Sequence, residues 1–194
     1  MSINCINREA LELFMKINLK PSRYIHSLGV EKMAKKLALI YGADVEKAAF
    51  AGRFHDIAKC FSQDAMDQYI LKYGIDRKYL GNVALAHSKV AAAILEYEYK
   101  VDDLDVLNAV RSHTTGRVGM SLLEEIIYVS DAIEENRSYP ELKLLQDEAT
   151  ENLDLVCLHI MDFAVDMIIK KGRIVDEETL NAREYIIERL KEHK

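Results

Sequence analysis

The chain has no tryptophan, two prolines and only eight glycines in 194 residues. So few chain breakers argue against a turn-rich fold and for long helices. No alternating apolar–polar pattern of the kind a half-buried strand needs runs through it, and it has neither an internal repeat nor a low-complexity tract. No stretch approaches the roughly 18 apolar residues of a membrane span. The opening residues carry no run of the kind a signal peptide needs, so the expectation is a cytoplasmic protein with no membrane partner. Basic charge is also short. A formal net charge of −6 argues against a general nucleic-acid surface, though it leaves room for a local cationic pocket that takes a small anion. The three cysteines, Cys5, Cys60 and Cys157, are odd in number and form no Cys-x-x-Cys pair, so they read as reduced thiols.

What is there is an ordinary globular composition, 49% hydrophobic and 30% charged, on a chain long enough for one well-buried core. Helical periodicity dominates. Ala10, Leu11, Phe14 and Met15 mark a helix over 7–17, and Pro21 opens a second that Gly42 ends. Asp44 caps a third, expected to run from Val45 to about Cys60. Ser62 caps a fourth, and helical segments follow over 77–99 and from Asp102-Asp103 to His113. Ser121 with Glu124 has the spacing of a capping box, Pro140 begins a short helix, and 152–170 and 176–191 are the last two. The expectation is an all-α fold: one domain of about nine helices over residues 1–194, with a metal core at about 20–137 and C-terminal helices over 140–194 packed on it.

Four of the six histidines fall in one series, His26, His55-Asp56, His87 and His113, which Asp131 completes. Each member sits in a helix or at a helix end, so helix packing would bring them together, as bundles do with core metals. Taken singly, a histidine in an apolar helix is most often just hydrogen-bonded. That bland assignment suits His159, and His193 in the tail reads as solvent-exposed. The doublet changes the weighing. Phe54-His55-Asp56-Ile57-Ala58-Lys59 sets a His and an Asp among apolar residues, where a buried charge needs a partner or a metal. Lys59, three residues after Asp56, could supply a plain salt bridge. Asp131, within Ile127-Tyr128-Val129-Ser130-Asp131-Ala132-Ile133, raises the same demand. Two imidazoles and two carboxylates without thiolate suit Fe, Mn or Co better than a structural zinc site.

The pattern His26…His55-Asp56…Asp131 resembles the signature of the HD-domain metal-dependent phosphohydrolases. Within that superfamily the chain resembles the bacterial YqeK family of symmetrical diadenosine tetraphosphate hydrolases. The segments that carry the likeness are Arg23-Tyr24-Ile25-His26-Ser27, His55-Asp56-Ile57-Ala58-Lys59, Ala86-His87-Ser88, His113-Thr114-Thr115-Gly116 and Ser130-Asp131-Ala132-Ile133-Glu134-Glu135-Asn136-Arg137. They span nearly the whole chain. One departure is Glu135, where the family pattern favours proline; it should alter a helix end and remove no ligand.

The resemblance implies an all-α enzyme that holds iron and splits diadenosine tetraphosphate into two ADP. It implies that His26, His55, Asp56 and Asp131 hold the metal and that His87 and His113 face the phosphates. Thr114, Arg137, and Arg23 or Arg173 in the Gly172-Arg173-Ile174 turn would contact the nucleotide. Lys59, Arg111 and Arg117 lie near the same segments, though any one of them read alone is a solvated charge. In this scheme Asp56 orients or deprotonates water, Lys59 offsets phosphoryl charge, and His87 or His113 protonates the leaving oxygen. One ion is favoured over two, with His87 and His113 the further ligands in the two-ion case. The alternatives are another nucleotidase or phosphodiesterase of the superfamily and a non-catalytic nucleotide sensor. Tyr97 and Tyr99 could form a homodimer interface.

Overall fold

In the computed structural model, which describes residues 6–192, the centre of the molecule is a helix with almost no exposed face. This helix, α7 (Leu122–Ile133), buries Leu123 to Ser130 without interruption, and Ile133 as well. Its N-terminus carries the reciprocal capping box of Ser121 and Glu124, which satisfies orphan amides at the buried end.

The other helices wrap this axis. The first three are α1 (Arg8–Asn18), α2 (Pro21–Tyr41) and α3 (Val45–Phe54). Next come α4 (Gln63–Lys72), α5 (Val83–Ala93) and α6 (Leu104–Ser112). After α7 follow α8 (Leu142–Glu148), α9 (Leu153–Lys170) and α10 (Glu177–Glu192). A 3₁₀ turn at Arg77–Tyr79 and a π-helical turn at Ile94–Glu98 flank α5. Asn7, Asp44, Ser62, Asn82, Asp103 and Asn152 each accept a backbone N–H at the start of their helix, so the side-chain chemistry written at these positions sets the boundaries. Helices α2, α3, α6 and α9 all pack on α7, α5 packs on α6, and α10 closes over α9. Among the described residues the fold is all-α with no strand.

The α2–α3 contact depends on Gly52. A Cβ there would lie 3.1 Å from the Val30 carbonyl oxygen and 3.1 Å from Glu31 Cα, so only glycine lets the two backbones approach this closely. That approach is what sets His26 beside His55.

The structure corrects several expectations. There are ten α-helices among the described residues, where about nine were expected. The third helix stops at Phe54 and does not reach Cys60. Beyond it the backbone amides reach back three residues, Ile57 to Phe54, Lys59 to Asp56 and Phe61 to Ala58, a tighter winding that swings successive side chains inward. The short helix after Pro140 starts at Leu142. Tyr97 is exposed, but Tyr99 is half-buried edge-on against Phe14, so it offers little to a dimer interface. Cys60 and Cys157 are free thiols; Cys5 and His193 lie outside the described residues.

Candidate metal centre and active site

Five segments deliver the histidine–aspartate series to one place. Helix α2 brings Arg23 and His26 on adjacent turns. His55 caps α3, and the tight turns after it present Asp56 and Lys59. Helix α5 brings His87, His113 caps α6 with Thr114 following, and Asp131 lies in the last turn of α7. All four histidines and Asp56 are buried. Asp131 retains about a quarter of its side-chain exposure, which marks the side from which the cluster is reached.

Asp56 is the hub. Its Oδ2 lies 3.6 Å from His55 Nε2 and 3.8 Å from His26 Nε2, and its Oδ1 lies 3.2 Å from His87 Nε2 and 3.5 Å from His113 Nε2. Asp131 Oδ1 closes the other side at 2.9 Å from His26 Nε2 and 3.8 Å from His55 Nε2. A cationic fringe surrounds the two carboxylates: Arg23 bonds Asp56 at 3.2 Å, Lys59 sits 3.9 Å from Asp56, and Arg137 bonds Asp131 at 2.7 Å.

The tautomers follow from the second ring nitrogen. His55 Nδ1 faces the Gly52 carbonyl at 2.8 Å, His113 Nδ1 the Val110 carbonyl at 2.7 Å and His87 Nδ1 the Val83 carbonyl at 3.3 Å. A carbonyl can only accept, so each Nδ1 carries the hydrogen. His26 Nδ1 does the same toward the Glu134 carboxylate at 3.1 Å. In the neutral rings all four Nε2 atoms then turn lone pairs inward, toward each other and toward carboxylate oxygens. His87 and His113 Nε2 are 3.1 Å apart. Acceptors this close repel unless a cation or proton lies among them. His26 Nε2, His55 Nε2 and Asp56 Oδ1 are moreover buried without a hydrogen-bond partner among the described residues. Unpaired buried donors of this kind, with their Nδ1 hydrogens fixed from behind, are what a metal ion requires. Two overlapping groups have the spacing to hold one, His26–His55–Asp131 and His55–Asp56–His113. The second includes His113, which the sequence reading set against the phosphates, or as a ligand if two ions are held.

Charge within the cluster is strongly biased. Burial works against ionising Asp56, yet the neighbouring imidazoles of His55, His113 and His87 hold its carboxyl well below the usual range. Burial likewise opposes ionised Asp131, and the contacts of His26, His55 and Arg137 together outweigh it, lowering that carboxyl too. Burial lowers His87, and pushes His113 down to about 4. His55 goes the other way: burial lowers it, but Asp56, Asp131 and the Gly52 carbonyl together raise it above an ordinary histidine. The hollow therefore holds two carboxylates and at least two neutral imidazoles near pH 7, an environment suited to a divalent cation.

Most of the residues expected from the sequence meet here, but some do not. Thr114 Oγ1 lies 3.4 Å from His87 Nε2, and Lys59 Nζ donates to the same nitrogen at 3.0 Å. Arg173, in contrast, stands exposed in the turn between α9 and α10, and no hydrogen bond or ion pair joins its guanidinium to the cluster among the described residues. Arg111 bonds Asn108 and Glu96, and Arg117 bonds Glu124, so both are tied to partners away from the hollow. Glu135 pairs with Lys32 on the surface and removes nothing from the cluster. His159 is half-exposed beside Glu148.

Sequence reasoning assigned no role to Glu134. It is almost wholly buried, holds His26 Nδ1 through Oε1, and is itself held through Oε2 by the Asn136 amide at 2.7 Å and side chain at 2.8 Å. The space for it comes from Gly29, where a Cβ would stand 2.0 Å from Glu134 Oε2. The one sequence signal was its place three residues after Asp131, where α7 ends.

Residues 23–136 match the HD domain family. Among curated proteins, the chain is 36% identical over 183 residues to a protein of Bacillus subtilis named bis(5'-nucleosyl)-tetraphosphatase, symmetrical, a match covering 94% of this chain and 98% of that one. A Staphylococcus aureus protein of the same name is 35% identical over 193 residues, covering 96% of this chain and all of its own length. Among solved structures, a predicted HD superfamily hydrolase described as involved in NAD metabolism, from Clostridium acetobutylicum, superposes with a TM-score of 0.90 at 36% identity over 94% of this chain and 98% of that one.

Proposed function

The chain belongs to the HD-domain family of metal-dependent phosphohydrolases, close to the symmetrical bis(5'-nucleosyl)-tetraphosphatases, and on that premise we propose that it hydrolyses diadenosine tetraphosphate to two ADP. The observation that carries the reading is the hollow itself: inward-facing imidazole nitrogens and two carboxylates, fringed by Arg23, Lys59 and Arg137. That combination pairs a cation site with a receptor for phosphate oxygens, which is what a polyphosphate substrate demands.

A divalent metal suits these donors, with His26, His55, Asp56 and Asp131 as its ligands. The imidazole–carboxylate set without thiolate favours iron, with manganese or cobalt as substitutes. When bound, such an ion supplies Lewis-acid polarisation of a phosphoryl oxygen and makes water a better nucleophile near neutral pH. One ion is the preferred count. The second group, through His113, is the route to two.

The chain's own residues divide the remaining work. Asp56, at the centre, orients the attacking water toward a central phosphorus of the chain. The bond from that phosphorus to the bridging oxygen breaks, and the departing ADP needs a proton. Lys59 and His87 form the pair placed to give it: Lys59 Nζ already donates to His87 Nε2 at the rim of the hollow. His87 is the ring that both Lys59 and Thr114 contact, which favours it over His113 for this role. Arg23 and Arg137 offset charge on the phosphoryl oxygens, the guanidinium being suited to two-point contact with phosphate. Thr114 adds a hydroxyl beside His87. The products are balanced: one water enters and two nucleoside diphosphates leave.

The test is a product assay over a nucleotide panel by anion-exchange chromatography. ADP as sole product from diadenosine tetraphosphate supports the reading. ATP plus AMP, or preference for a mononucleotide, refutes it. Elemental analysis of protein purified without chelator gives the identity and number of ions.

A further inference from the structure

Symmetric cleavage needs more than a metal and a phosphate fringe, because nothing in either tells the middle of a polyphosphate chain from its end. A fixed register requires a second anchor, set at a distance from the hollow. One cavity outside the hollow shares Arg137 with its cationic fringe. It measures about 510 Å³ and lies between the end of α7, the 137–141 segment, α8 and α9, lined by Ala132, Arg137, Tyr139, Leu144, Ile160 and Phe163.

Three features distinguish this cleft from an accidental surface dip. Its walls are mostly apolar, and its two outer residues, Phe163 and Leu144, are 65% and 58% exposed. Large apolar groups held in water on facing elements mark a binding surface more often than chance. Its volume falls in the range of small-molecule sites. It also shares a residue with the hollow. Arg137 lines the cleft, while its Nε donates to the Asp131 carbonyl at 2.9 Å and its terminal nitrogen to the Asp131 carboxylate at 2.7 Å. Ala132, the next residue after Asp131, also lines the cleft. Tyr139 is pinned there by its hydroxyl, which donates to the Ala132 carbonyl at 2.9 Å. A ligand in the cleft therefore lies against Arg137, one residue of the phosphate fringe.

We propose that this cleft seats the purine base of one nucleoside half of the substrate, with Phe163 as its stacking platform. The proposal rests on the function given above and deepens it: the base is the second anchor, and Arg137 stands where base and phosphate subsites join. A flat, neutral, aromatic ring fits apolar walls that would reject a bare phosphate, and His159 and Glu141 at the lining supply hydrogen-bonding edges.

The experiment compares ADP with inorganic tripolyphosphate by titration calorimetry, on the purified protein and on Phe163→Ala. The side chain is exposed, so the melting temperature should hold. ADP affinity should fall about tenfold, the scale of one base–aromatic stack, while tripolyphosphate affinity stays unchanged. Leu144→Asn on the facing element should repeat the pattern. Unchanged ADP affinity in both variants overturns the proposal, as does an equal loss for both ligands, which would place the effect at the phosphates. A concentration-dependent dimer abolished by Phe163→Ala with ADP affinity intact would give the cleft to a second copy of the chain and also overturn it. The two readings fail separately. Protein that does not cleave diadenosine tetraphosphate, yet binds ADP in a Phe163-dependent way, sinks the proposed reaction and keeps the cleft.

Discussion

Replacing Gly29 with alanine should weaken metal binding from a position that touches no metal ligand directly. On helix propensity alone the change is favourable, since alanine in a helix interior is worth about 1 kcal/mol over glycine. The structure reverses the sign. The new Cβ would stand 2.0 Å from Glu134 Oε2, 2.8 Å from Asn136 Nδ2 and 2.9 Å from Glu134 Cδ. Ordinary contact begins near 3.4 Å, so the carboxylate must retreat, and it is fixed on its far side by the Asn136 amide. Retreat breaks the 3.1 Å hydrogen bond that orients His26. A hydrogen bond to a charged group contributes about 1.5–3 kcal/mol, which outweighs the propensity gain. Losing the outer partner of a metal-ligating histidine typically costs 10–100-fold in metal affinity. The assay is competition between the protein and a fluorescent chelator for Mn²⁺ or Co²⁺, with thermal melting of the metal-free protein alongside. Gly29→Ala and Glu134→Gln should both lose affinity in that range, and Gly29→Ala should melt lower than the parent. A Gly29→Ala protein that melts higher and holds metal as tightly as the parent would refute the role of Glu134.

Further outcomes are expected at and away from the hollow. His55→Ala and Asp56→Ala should each abolish metal content and turnover together; full hydrolysis by a metal-free variant would end the mechanism. Lys59→Met should keep the metal but reduce kcat by about 10²–10⁴, the usual worth of a positioned proton donor, and an unchanged kcat would remove Lys59 from the proton path. Glu125, almost fully buried beside Arg189, has its carboxyl raised to about 7, burial outweighing the arginine. Its folded-state value lies above the ordinary 4.5, so the folded protein binds the proton more tightly than the unfolded chain. That contribution to stability is complete below about pH 4.5 and is lost as pH rises through 7, by at most about 3 kcal/mol. Urea unfolding at pH 5 and pH 8 should therefore show the parent losing stability relative to Glu125→Gln, and a pH-independent difference between the two would contradict it.

Much of the fold was legible because it is written locally. Asp44, Ser62, Asp103 and the Ser121–Glu124 pair announce helix starts through side chains that satisfy their own backbone amides. The periodic pairs Leu11 and Met15 of α1 are fully buried where periodicity placed them. The failure at the third helix is equally physical. Nothing in Ala51 to Cys60 forbids helix, and only the packing of Gly52 on α2, with the His55 ring bonded to the Gly52 carbonyl, marks where it gives way to tight turns. The position of Arg173 was hidden for a similar reason: a guanidinium near motif segments in sequence can stand, as here, exposed in a turn with no bond to the cluster among the described residues.

The chain by itself determined which donors are available. Imidazole, carboxylate and cationic side chains are intrinsic to His26, His55, Asp56, His87, His113, Asp131, Lys59 and Arg137, and their sparse placement in helical segments already required a bundle to gather them. Only the tertiary structure decided how those donors are presented. Which ring nitrogen faces inward depends on carbonyls at Gly52, Val83 and Val110 and on a carboxylate 108 residues from His26. Whether a cleft adjoins the hollow depends on where α8 and α9 settle against the end of α7. Ligand chemistry belongs to single residues and can be read one at a time, whereas tautomer, orientation and shape arise from contacts between segments far apart in the chain.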